Sequence, residues 1–569
     1  MDRSLPKPPR TEALALPPVL RPRAERLSAL GGSKWDVLIV GGGITGCGLA
    51  LDLVARGLSV ALVERGDWAS GTSSASSRLV HGGLRYLEQY EFGLVRESCR
   101  ERALLLRNAA GLVWPERFVF PVRRGDPVGK LKLAAGLGLY TLVSIPRVLG
   151  LPRIVSTREV QRRIPGIDSE GLKGGGSYLD GATDDARLTL AIALSAMGHG
   201  ATCLSQVEAT QLEDGQGGVR VELLDRLSSA SFEAQARAVV LCGGPFTDSL
   251  RGRAKLNQGW VQPTRGTHIL IPRERLPTDG AVILSSPVDG RVMFLLPWAR
   301  FTAIGTTDLD ADPNGQIRAT GAEVRYLLNS ANRLVTGAKL TEDDVVSTWA
   351  GLRPLLSASE SDPSARSREE RVTREGSIYT IAGGKLTGYR SMAEGLGQRL
   401  AKDLGMGDKS SKSPTRKLSL HGSLFELNAD RKRTPVGRPR WSSLDAQGKP
   451  IVDREPVLQA WGERYGRYAP AVADFCQRQE QGLGSLSPDT LQGEVDWAMR
   501  YEDALQVEDF LLRRTDLGHE SEQIALASIP AIADRMARSL GWDQQQRNAQ
   551  VDAARNSIER LHAWRLDPH

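Results

Sequence analysis

Three glycines near the start of the chain have the spacing of a dinucleotide-binding turn. Gly41, Gly43 and Gly46 form a G-x-G-x-x-G pattern, and Glu64 follows 18 residues after the last of them. In such a turn the first glycine permits a sharp bend, the second lets the backbone approach a pyrophosphate, and the third lets the helix pack on the strand. A later carboxylate accepts hydrogen bonds from ribose hydroxyls, which disfavours a 2′-phosphate. The pattern predicts a dinucleotide site but does not distinguish FAD from NAD.

The segments around this turn have the pattern of a βαβ unit. A β-branched run at 36–40 leads into the glycines, a helical stretch covers 49–56, and a second apolar run covers 59–64. This order is typical of a parallel sheet. Short apolar runs separated by polar turns recur through 154–310, which favours a second, more antiparallel sheet. The sequence therefore predicts an α/β fold, with a Rossmann-like nucleotide-binding domain interleaved with a substrate-covering domain of mixed or antiparallel sheet.

The composition narrows the class of protein. The 569 residues are 40% hydrophobic and 25% charged, as in an ordinary soluble globular protein, and the net charge of +7 barely favours nucleic acid as a partner. The five cysteines are scattered and form no CxxC pair, which argues against a disulfide framework and a structural zinc site. We therefore expect no metal. No apolar run reaches the roughly 20 residues of a membrane-spanning helix.

A hydroxyl-rich stretch at 69–77 is followed at 78–88 by a Gly-Gly pair with His81, Arg85 and Tyr86 close by. This string resembles the flavin-proximal segment of FAD-dependent glycerol-3-phosphate dehydrogenases, a family within the D-amino-acid-oxidase-like flavoproteins. Further segments resemble motifs of that family in the same order: 178–188, 242–248, 265–269, 304–308, 349–355, 383–390, 494–498 and 508–515. The resemblance is close over residues 35–400 and looser over 456–545.

The resemblance implies that FAD is the cofactor and glycerol 3-phosphate the substrate. No cysteine lies in a matched flavin-attachment motif, so we expect FAD to be held noncovalently. Arginine presents a planar fork to phosphate oxygens, whereas lysine acts as a compact point charge. The residues implied for FAD binding are Gly41, Gly43, Gly46, Glu64, Thr72, Ser73, Ser74, Ser77, His81, Gly82, Val207, Gly243, Gly244, Gly384, Lys385, Leu386 and Thr387. The residues implied for substrate binding are Arg85, Tyr86, Thr306, Arg353, Arg368 and Lys385.

Oxidation of a secondary alcohol requires a hydride acceptor and a destination for the hydroxyl proton. The resemblance implies hydride transfer from C2 of the substrate to flavin N5, which gives dihydroxyacetone phosphate. Histidine is the most frequent general base, and His81 and His268 are the histidines within matched motifs. We favour His268 as the catalytic base, with Arg353 as the second catalytic group, and expect His81 to order the flavin loop. An arginine-lined pocket that stabilises the alkoxide is the alternative to a dedicated base.

The segment 121–153 is a candidate for contact with a membrane surface. Its apolar run, 133–145, is too short to span a bilayer. The flanking cations are Arg123, Arg124, Lys130, Lys132, Arg147 and Arg153. Basic flanks around an apolar helix suit a helix in the membrane interface, and a buried core helix is the alternative. Since the resembled family passes electrons to membrane quinone, we expect quinone as a partner and a peripheral location on the cytoplasmic side of the membrane. The sequence leaves a homodimer open.

Composition sets the expected domain boundaries. We expect a loosely ordered N-terminal extension at 1–34, two interleaved domains at 35–404, a polar linker at 405–455 and a C-terminal helical domain at 456–569. The segments assigned within the interleaved region are 35–120, 154–255 and 345–404 for FAD binding, 256–344 for the substrate-covering domain and 121–153 for the interfacial segment.

Three other functions stay open. The first is an oxidase that passes electrons from glycerol 3-phosphate to oxygen, although the additional mid-chain insertion that such oxidases tend to carry is absent between Asp185 and Arg353. The second is an amine or hydroxy-acid oxidase, whose site would need a carboxylate clamp and less phosphate-directed charge. The third is a flavoprotein associated with nucleic acid, which only the pI near 9.2 suggests. A nucleic-acid surface would need a basic run interleaved with aromatic residues, and the chain has none.

Overall fold

The computed structural model describes residues 16–87, 90–126, 128–357, 370–407, 413–424 and 455–568. The strands are β1 (Lys34–Val40), β2 (Val60–Val63), β3 (Leu79–Val80), β4 (Val113–Arg123), β5 (Arg153–Val155), β6 (Leu172–Thr183), β7 (Thr202–Leu204), β8 (Val207–Gly215), β9 (Gly218–Asp225), β10 (Ser231–Leu241), β11 (Thr264–Pro272), β12 (Ala281–Ser285), β13 (Val292–Trp298), β14 (Phe301–Gly305), β15 (Leu309–Asp310), β16 (Ser347–Arg353), β17 (Glu370–Glu375), β18 (Ile378–Gly383), β19 (Ser485–Ser487) and β20 (Thr490–Leu491). The α-helices are α1 (Arg23–Gly32), α2 (Ile44–Ala55), α3 (Phe92–Asn108), α4 (Lys130–Ser144), α5 (Thr157–Arg163), α6 (Asp185–Gly198), α7 (Thr247–Arg253), α8 (Gly321–Leu334), α9 (Tyr389–Asp403), α10 (Glu455–Tyr465), α11 (Ala469–Arg478), α12 (Gly493–Tyr501), α13 (Val507–Asp509), α14 (Leu517–Glu520), α15 (Glu522–Leu540) and α16 (Gln544–His562).

The first sheet is built around β1. Strands β18, β10, β1, β2 and β7 lie side by side in that order and run parallel. β17 pairs antiparallel with β18 at one margin, β9 pairs antiparallel with the first half of β10, and β8 pairs with β9. Val37 and Ile39 of β1 face a core shared with α2, α6 and α9, while Leu38 and Val40 face a second core on the other side. Because both faces are covered, the strand is a continuous apolar run, as parallel sheets require.

The second sheet contains ten strands among the residues that the structure describes. Its strands follow the order β15-β11-β14-β13-β12-β4-β6-β3, with β16 paired to β11 and β5 paired to β6. Most of its pairs are antiparallel, and β12 with β4 is a parallel pair. The predicted fold class, two interleaved sheet domains with a C-terminal helical region, is confirmed. The expected boundaries differ, because β4, β6 and β16 belong to this sheet rather than to the FAD-binding part. Which sheet a strand joins depends on pairing between strands that are distant in the chain, and composition contains no information about that pairing.

The chain before β1 also differs from the expected loose extension, at least from residue 16 onward. Helix α1 packs beside β7 and β10, and its Arg26 is 5% exposed. The Arg26 guanidinium donates to the Cys203 carbonyl at 2.9 Å and to the Asp503 carboxylate at 2.6 Å. A buried arginine with three acceptors anchors this helix, within a segment that the sequence predicts to be loosely ordered.

The region expected to be a polar linker, 405–455, is described at 405–407, 413–424 and its final residue. Its middle part is docked: the Ser413 hydroxyl donates to the buried carboxylate of Asp52 in α2. The Leu420 N–H donates to the Asn108 carbonyl at the end of α3, at 2.7 Å, and Leu420 is buried. These contacts tie 413–424 to the first sheet domain.

The C-terminal helices form two small cores of their own. Trp461 and Trp497 lie in the first, with α10, α11 and α12 around them. Phe510 and Ile529 lie in the second, between α12, α15 and α16. Within the described ranges, no helix combines the length and the apolar character that crossing a bilayer demands.

Helix α4, in the expected interfacial segment, has two apolar faces. Leu133, Leu137 and Tyr140 are buried against β6 and α3, with Ser144 on the same face. On the other side Leu131 is 89% exposed and Leu142 is 67% exposed. Ile145, Leu151 and Ile154, which follow the helix, are also exposed. The core interpretation therefore describes one face of the helix, and contact of the exposed face with a membrane stays a prediction.

Candidate active site

Four turns meet at one edge of the first sheet. Val40 at the end of β1 is paired with Val63 of β2 and Leu241 of β10, and Leu241 is paired with Thr380 of β18. Because the carboxyl ends of parallel strands lie at the same edge, the turns that follow these strands emerge together. Those turns contain the groups predicted to bind FAD: 41–46, Glu64, 243–244 and 384–387.

The turn between β1 and α2 needs its glycines for three different reasons. Gly41 has a φ of +117°, and a Cβ there would collide with the Cys242 carbonyl. A Cβ on Gly46 would collide with the Gly41 carbonyl, so the helix can approach the strand only without a side chain. At Gly43 a Cβ would meet only the Ser73 hydroxyl, at 3.3 Å. Gly41 and Gly46 leave no room for a side chain, because backbone packs on backbone there. Gly43 leaves space at the N-terminus of α2, where a phosphate would be stabilised.

Glu64 connects two parts of this edge. Its carboxylate accepts from the Gly42 N–H at 2.6 Å and from the Gly66 N–H at 2.8 Å. Burial raises the pKa of the carboxyl group, and the two N–H donors oppose that rise. The wholly buried Val207 donates its N–H to the Glu64 carbonyl at 2.8 Å, which places Val207 beside the predicted ribose acceptor.

The hydroxyl-rich stretch joins the two sheets. Thr72, Ser73 and Ser74 form one 3-10 turn, in which the Ser73 hydroxyl accepts from the Ile44 N–H at 3.0 Å. The Thr72 hydroxyl donates to the Leu352 carbonyl in β16 at 2.6 Å. The segment therefore touches the first turn of α2 at one end and the substrate-covering sheet at the other.

The later glycine turns close the same edge. Gly244 has a φ of +53° and Gly384 a φ of +80°. A Cβ on Gly243 would collide with the backbone of Thr247, where α7 begins. Leu386 and the buried Thr387 lie in a 3-10 turn that leads into α9. Both turns carry a strand directly into a helix, as the first glycine turn does.

Arg353, Thr306 and His268 are brought together at the start of β11. Arg353 ends β16 opposite Thr264, and His268 faces Gly305 of β14. The Arg353 guanidinium donates to the Thr306 hydroxyl at 3.0 Å and to the Asp308 carboxylate at 2.8 Å. A Cβ on Gly266 would collide with the guanidinium, so this glycine makes room for it.

His268 is held neutral. It is 2% exposed, its Nε2 lies 2.8 Å from the Ser77 hydroxyl, and its ring stacks on Trp349 at 4.6 Å with 3° between the planes. Burial lowers the pKa of His268 to about 3, and the positive charges of Arg353 and Arg78 act in the same direction. Its Nδ1 has no hydrogen-bond partner among the described residues. A neutral imidazole beside an arginine can accept a proton.

Lys385 supplies an uncompensated cation at the edge. Its Nζ is buried, has no hydrogen-bond partner among the described residues and lies 3.7 Å from the centre of the Tyr86 ring. His81 packs beside the same ring, with centroids 6.3 Å apart. A buried ammonium without an acceptor is costly, so the position suits an anion or a carbonyl oxygen from a ligand.

Arg85 and Arg368 are the two remaining residues predicted to bind the substrate. Arg85 lies in the 3-10 turn 84–87, next to Tyr86. Arg368 lies outside the described residues. Their roles in binding phosphate stay predictions.

Several residues at the site were not singled out from the sequence. Asp308 fixes the Arg353 guanidinium, and Trp349 donates its indole N–H to the Ser76 carbonyl at 3.2 Å. Asp180 accepts from the Gly82 N–H at 2.9 Å and from the Arg102 guanidinium at 2.7 Å. Asp308, Trp349 and Asp180 lie inside stretches that resemble the family, so an acidic or aromatic residue in those stretches could have been selected as a site residue. Arg102 lies outside those stretches, and the sequence contains no indication of its role.

These features fit FAD. Gly43 leaves space where the glycine pattern predicts the pyrophosphate, Glu64 is the predicted ribose acceptor, and the Lys385 ammonium has no hydrogen-bond partner among the described residues. The hydrogen bonds from Thr72 to Leu352 and between Ser77 and His268 join this edge to the part of the second sheet that contains His268, Arg353 and Thr306.

Comparison with known proteins agrees with this geometry. Residues 36–397 match the family model described as FAD dependent oxidoreductase, and residues 413–547 match the C-terminal domain of alpha-glycerophosphate oxidase. The chain is 32% identical over 542 residues to an aerobic glycerol-3-phosphate dehydrogenase of Staphylococcus aureus, covering 92% of this chain and 94% of that protein. An enzyme of the same name from Staphylococcus saprophyticus is 32% identical over 549 residues, covering 94% and 96%.

A solved structure is similar along nearly the whole chain. The crystal structure of the glycerol-3-phosphate dehydrogenase from Bacillus halodurans, complexed with FAD, has a TM-score of 0.75 and 26% identity. The similarity covers 95% of this chain and 97% of that one. The N-terminal sheet domains and the C-terminal helices are therefore found together in that protein as well.

Proposed function

The chain belongs to the family of FAD-dependent oxidoreductases, and we propose that it oxidises sn-glycerol 3-phosphate to dihydroxyacetone phosphate. The observation that carries the proposal is the group of polar side chains in the second sheet that the hydroxyl-rich stretch joins to the FAD-binding edge. There the imidazole of His268 is bonded to the Ser77 hydroxyl, and the guanidinium of Arg353, which is bonded to the Thr306 hydroxyl, lowers the pKa of His268 together with burial. When bound, FAD supplies the acceptor for the hydride that leaves C2 of the alcohol.

The chain's own residues account for the proton and the charge. As hydride leaves C2, the C2 hydroxyl loses its proton to His268, and the carbonyl of the product forms. The guanidinium of Arg353, fixed by Asp308 at 2.8 Å, stabilises negative charge that develops on the substrate oxygen. Proton transfer to a positioned base typically contributes about 10²- to 10⁴-fold to the rate.

Lys385 is the group best placed to bind the phosphate or a flavin oxygen. Its ammonium is buried with no hydrogen-bond acceptor among the described residues, and Tyr86 beside it offers a hydroxyl. A dianionic phosphate would supply this ammonium with an acceptor of opposite charge, whereas a neutral alcohol such as glycerol would not. Discrimination for the phosphorylated substrate follows from this charge.

Anaerobic mixing of the purified holoenzyme with glycerol 3-phosphate tests the proposed function. We expect the visible absorbance of oxidised flavin to disappear, and glycerol at the same concentration to leave it unchanged. A simple amino acid and a hydroxy acid are run in parallel. Bleaching by either of these, with none by glycerol 3-phosphate, would replace the proposal with an amine or hydroxy-acid oxidase.

We further propose that electrons pass from the enzyme to membrane quinone on the cytoplasmic side of the bilayer. The support is the exposure of the apolar side chains of Leu131 and Leu142 on α4 and of Leu151 after it. Lys132 and Arg153 are exposed beside it, as expected for a surface that meets anionic headgroups.

The electron acceptor is decided by reoxidation of the substrate-reduced enzyme. We expect a hydrophobic quinone in lipid vesicles to restore oxidised flavin much faster than dissolved oxygen does. Faster reoxidation by oxygen, with hydrogen peroxide as product, would identify an oxidase that acts on the same substrate.

A further inference from the structure

The segment 64–70, called here the ribose segment, is bonded directly to the phosphate-binding turn. Gly42 of that turn donates its N–H to the Glu64 carboxylate and accepts from the Ala69 N–H at 3.1 Å. A Cβ on Gly42 would come within 2.8 Å of the Trp68 ring, so the indole packs against the turn. Any displacement of the ribose segment therefore moves the groups that meet the pyrophosphate and the ribose.

The indole of Trp68 is held from outside the sheet domain. Its N–H donates to the Asp503 carboxylate at 3.0 Å, and Trp68 is 1% exposed. Asp503 follows α12 in the C-terminal domain and is itself 2% exposed. The Ser205 hydroxyl and the Arg26 guanidinium of α1 donate to the same carboxylate, at 2.9 and 2.6 Å.

Asp67 is held from the same domain by a second cluster. The Arg514 guanidinium donates two hydrogen bonds to its carboxylate, at 2.6 and 2.8 Å, and Arg513 donates one at 2.6 Å. Asp67 is buried, and so are both arginines. Arg513 also pairs with Asp509, which fixes it within the C-terminal domain.

These contacts give the ribose segment its conformation. Asp67 and Trp68 present a carboxylate and an indole N–H to the interior, and neither has a water-exposed alternative. Buried polar groups need partners, and the partners that the structure provides come from Asp503, Arg513 and Arg514. Without them the segment would have to turn these groups outward, away from the phosphate-binding turn.

We propose that the C-terminal helical domain and α1 are part of the FAD site, because they hold the ribose segment in the conformation that binds the cofactor. The contacts that Asp503, Arg513 and Arg514 make with the ribose segment are then coupled to the binding of FAD, and each strengthens the other by the same factor. Asp503 acts as a positioning residue, since it reaches the cofactor site only through Trp68. The proposal requires that FAD be the cofactor and is independent of which alcohol is oxidised.

The chain contains a matched control one residue away. The buried carboxylate of Glu502 accepts two hydrogen bonds from Arg187 of α6, at 2.8 and 2.7 Å. This pair also joins the C-terminal domain to the first sheet domain, but Glu502 makes no side-chain bond to the ribose segment among the described residues. Asp503→Asn and Glu502→Gln thus remove one charge each from equivalent places, and only the first faces Trp68.

The test compares FAD binding with unfolding in both variants of the full-length protein. FAD is removed, the apoprotein is titrated with FAD, and the dissociation constant is measured by quenching of flavin fluorescence. We expect Asp503→Asn to raise the FAD dissociation constant on the order of 10-fold, within the usual range of coupling between sites. Glu502→Gln should lower the thermal midpoint of the apoprotein and leave the FAD dissociation constant within about twofold.

A second readout follows the coupling in the opposite direction. Addition of FAD to wild-type apoprotein should slow hydrogen exchange of backbone amides at 503–514, although these residues lie beyond the ribose segment. Equal dissociation constants in wild type and Asp503→Asn, or equal increases in both variants, would overturn the proposal. If Asp503→Asn does not fold, Trp68→Phe, which removes the indole N–H and keeps an aromatic ring, is measured against Glu502→Gln under the same criteria.

Discussion

Lys385 and Arg353 are both cations of the candidate site, yet their surroundings give them different tasks. Arg353 has its guanidinium fixed by Thr306 and Asp308, so it is oriented before a ligand arrives. Lys385 has no hydrogen-bond acceptor among the described residues, so its charge is available to a ligand. Preorganised donors favour transition-state stabilisation, whereas an unpaired buried cation favours anion binding.

Replacement of Lys385 by Met should therefore weaken use of glycerol 3-phosphate. A charge-assisted hydrogen bond is worth about 1.5–3 kcal/mol, which corresponds to a loss of roughly 10- to 150-fold in kcat/KM. The measurement is the concentration dependence of flavin reduction by glycerol 3-phosphate and by glycerol. Because the variant loses the charge that recognises phosphate, the ratio of its kcat/KM for glycerol 3-phosphate to that for glycerol should also decrease.

The control for this variant is Lys402→Met, which removes an exposed lysine at the end of α9. It should leave the preference for glycerol 3-phosphate unchanged. An undiminished preference in Lys385→Met would show that other cations bind the phosphate and that Lys385 serves the flavin alone.

The environment of His268 predicts an unusual pH dependence. A histidine whose pKa is lowered from 6.5 to about 3 stays neutral, and able to accept a proton, at every pH well above 3. The rate constant for flavin reduction should therefore show no acidic limb from His268 between pH 5 and 8. His268→Asn should reduce that rate constant by about 10²- to 10⁴-fold while FAD content stays normal.

Rapid mixing across that pH range, in wild type and in the variant, measures both effects. A wild-type limb near pH 6.5 that disappears in His268→Asn would mean that the imidazole titrates normally and is open to water. A variant as fast as wild type would favour the alternative in which Arg353 stabilises the alkoxide without a dedicated base.

At the scale of elements, α4 divides its residues between two environments. Leu133, Leu137 and Tyr140 are buried in the core of the second sheet, whereas Leu131 and Leu142 are 89% and 67% exposed. Substitutions on the exposed side should cost little folding free energy, because those side chains make few contacts to lose.

Leu131→Gln combined with Leu142→Gln should weaken binding to vesicles of anionic phospholipid. Insertion of one leucine is worth about 1.5 kcal/mol, so the pair should cost about 3 kcal/mol, or roughly 100-fold in affinity. Sedimentation with vesicles measures the binding, and activity with a water-soluble dye acceptor should be unchanged.

Leu227→Gln provides the comparison, since Leu227 is 40% exposed on the turn between β9 and β10. It should bind vesicles as wild type does. Normal binding and normal quinone reduction by the α4 variant would place the docking surface elsewhere.

The elements differ in how far the sequence could predict them. The turn between β1 and α2 lies within one βαβ unit, so the spacing of Gly41, Gly43 and Gly46 was sufficient to predict that turn, although not the packing of Gly41 on the distant Cys242. The two faces of α4 could not be assigned, because the choice between bilayer and core depends on β6 and α3 covering one side of it. The positions of Asp308 and Asp503 depend on contacts with residues far along the chain, which a single sequence does not record.

At the scale of the whole molecule, the C-terminal domain supplies charges that the rest of the chain needs. Arg187 in α6 and Asp67 in the ribose segment are both buried, and their partners are Glu502, Arg513 and Arg514. Breaking one buried ion pair typically costs about 3–5 kcal/mol, a large share of a protein's stability.

A chain that ends at residue 454 should therefore fail to accumulate as a soluble, yellow protein. It would expose the surface of α6 that the C-terminal domain covers, and it would leave the charges of Arg187 and Asp67 without their partners. Co-expression of residues 455–568 as a separate chain should restore part of the soluble yield and the bound FAD. The measurement is flavin absorbance per protein in the soluble fraction, and a stable yellow product from the shorter chain alone would contradict the expectation.

The strand order of the first sheet has a consequence for synthesis on the ribosome. β1 and β2 are complete at Val63, but β10 begins only at Ser231 and β18 only at Ile378. At ordinary translation rates of about 5–20 residues per second, the nascent β1 waits roughly ten seconds or more for β10, and β10 then waits for β18. During that time the edge of β1 that β10 covers in the finished sheet is open to other chains, and no FAD can be enclosed. Yield in a foreign host should thus respond to translation speed and chaperone supply more than to the stability of the finished enzyme.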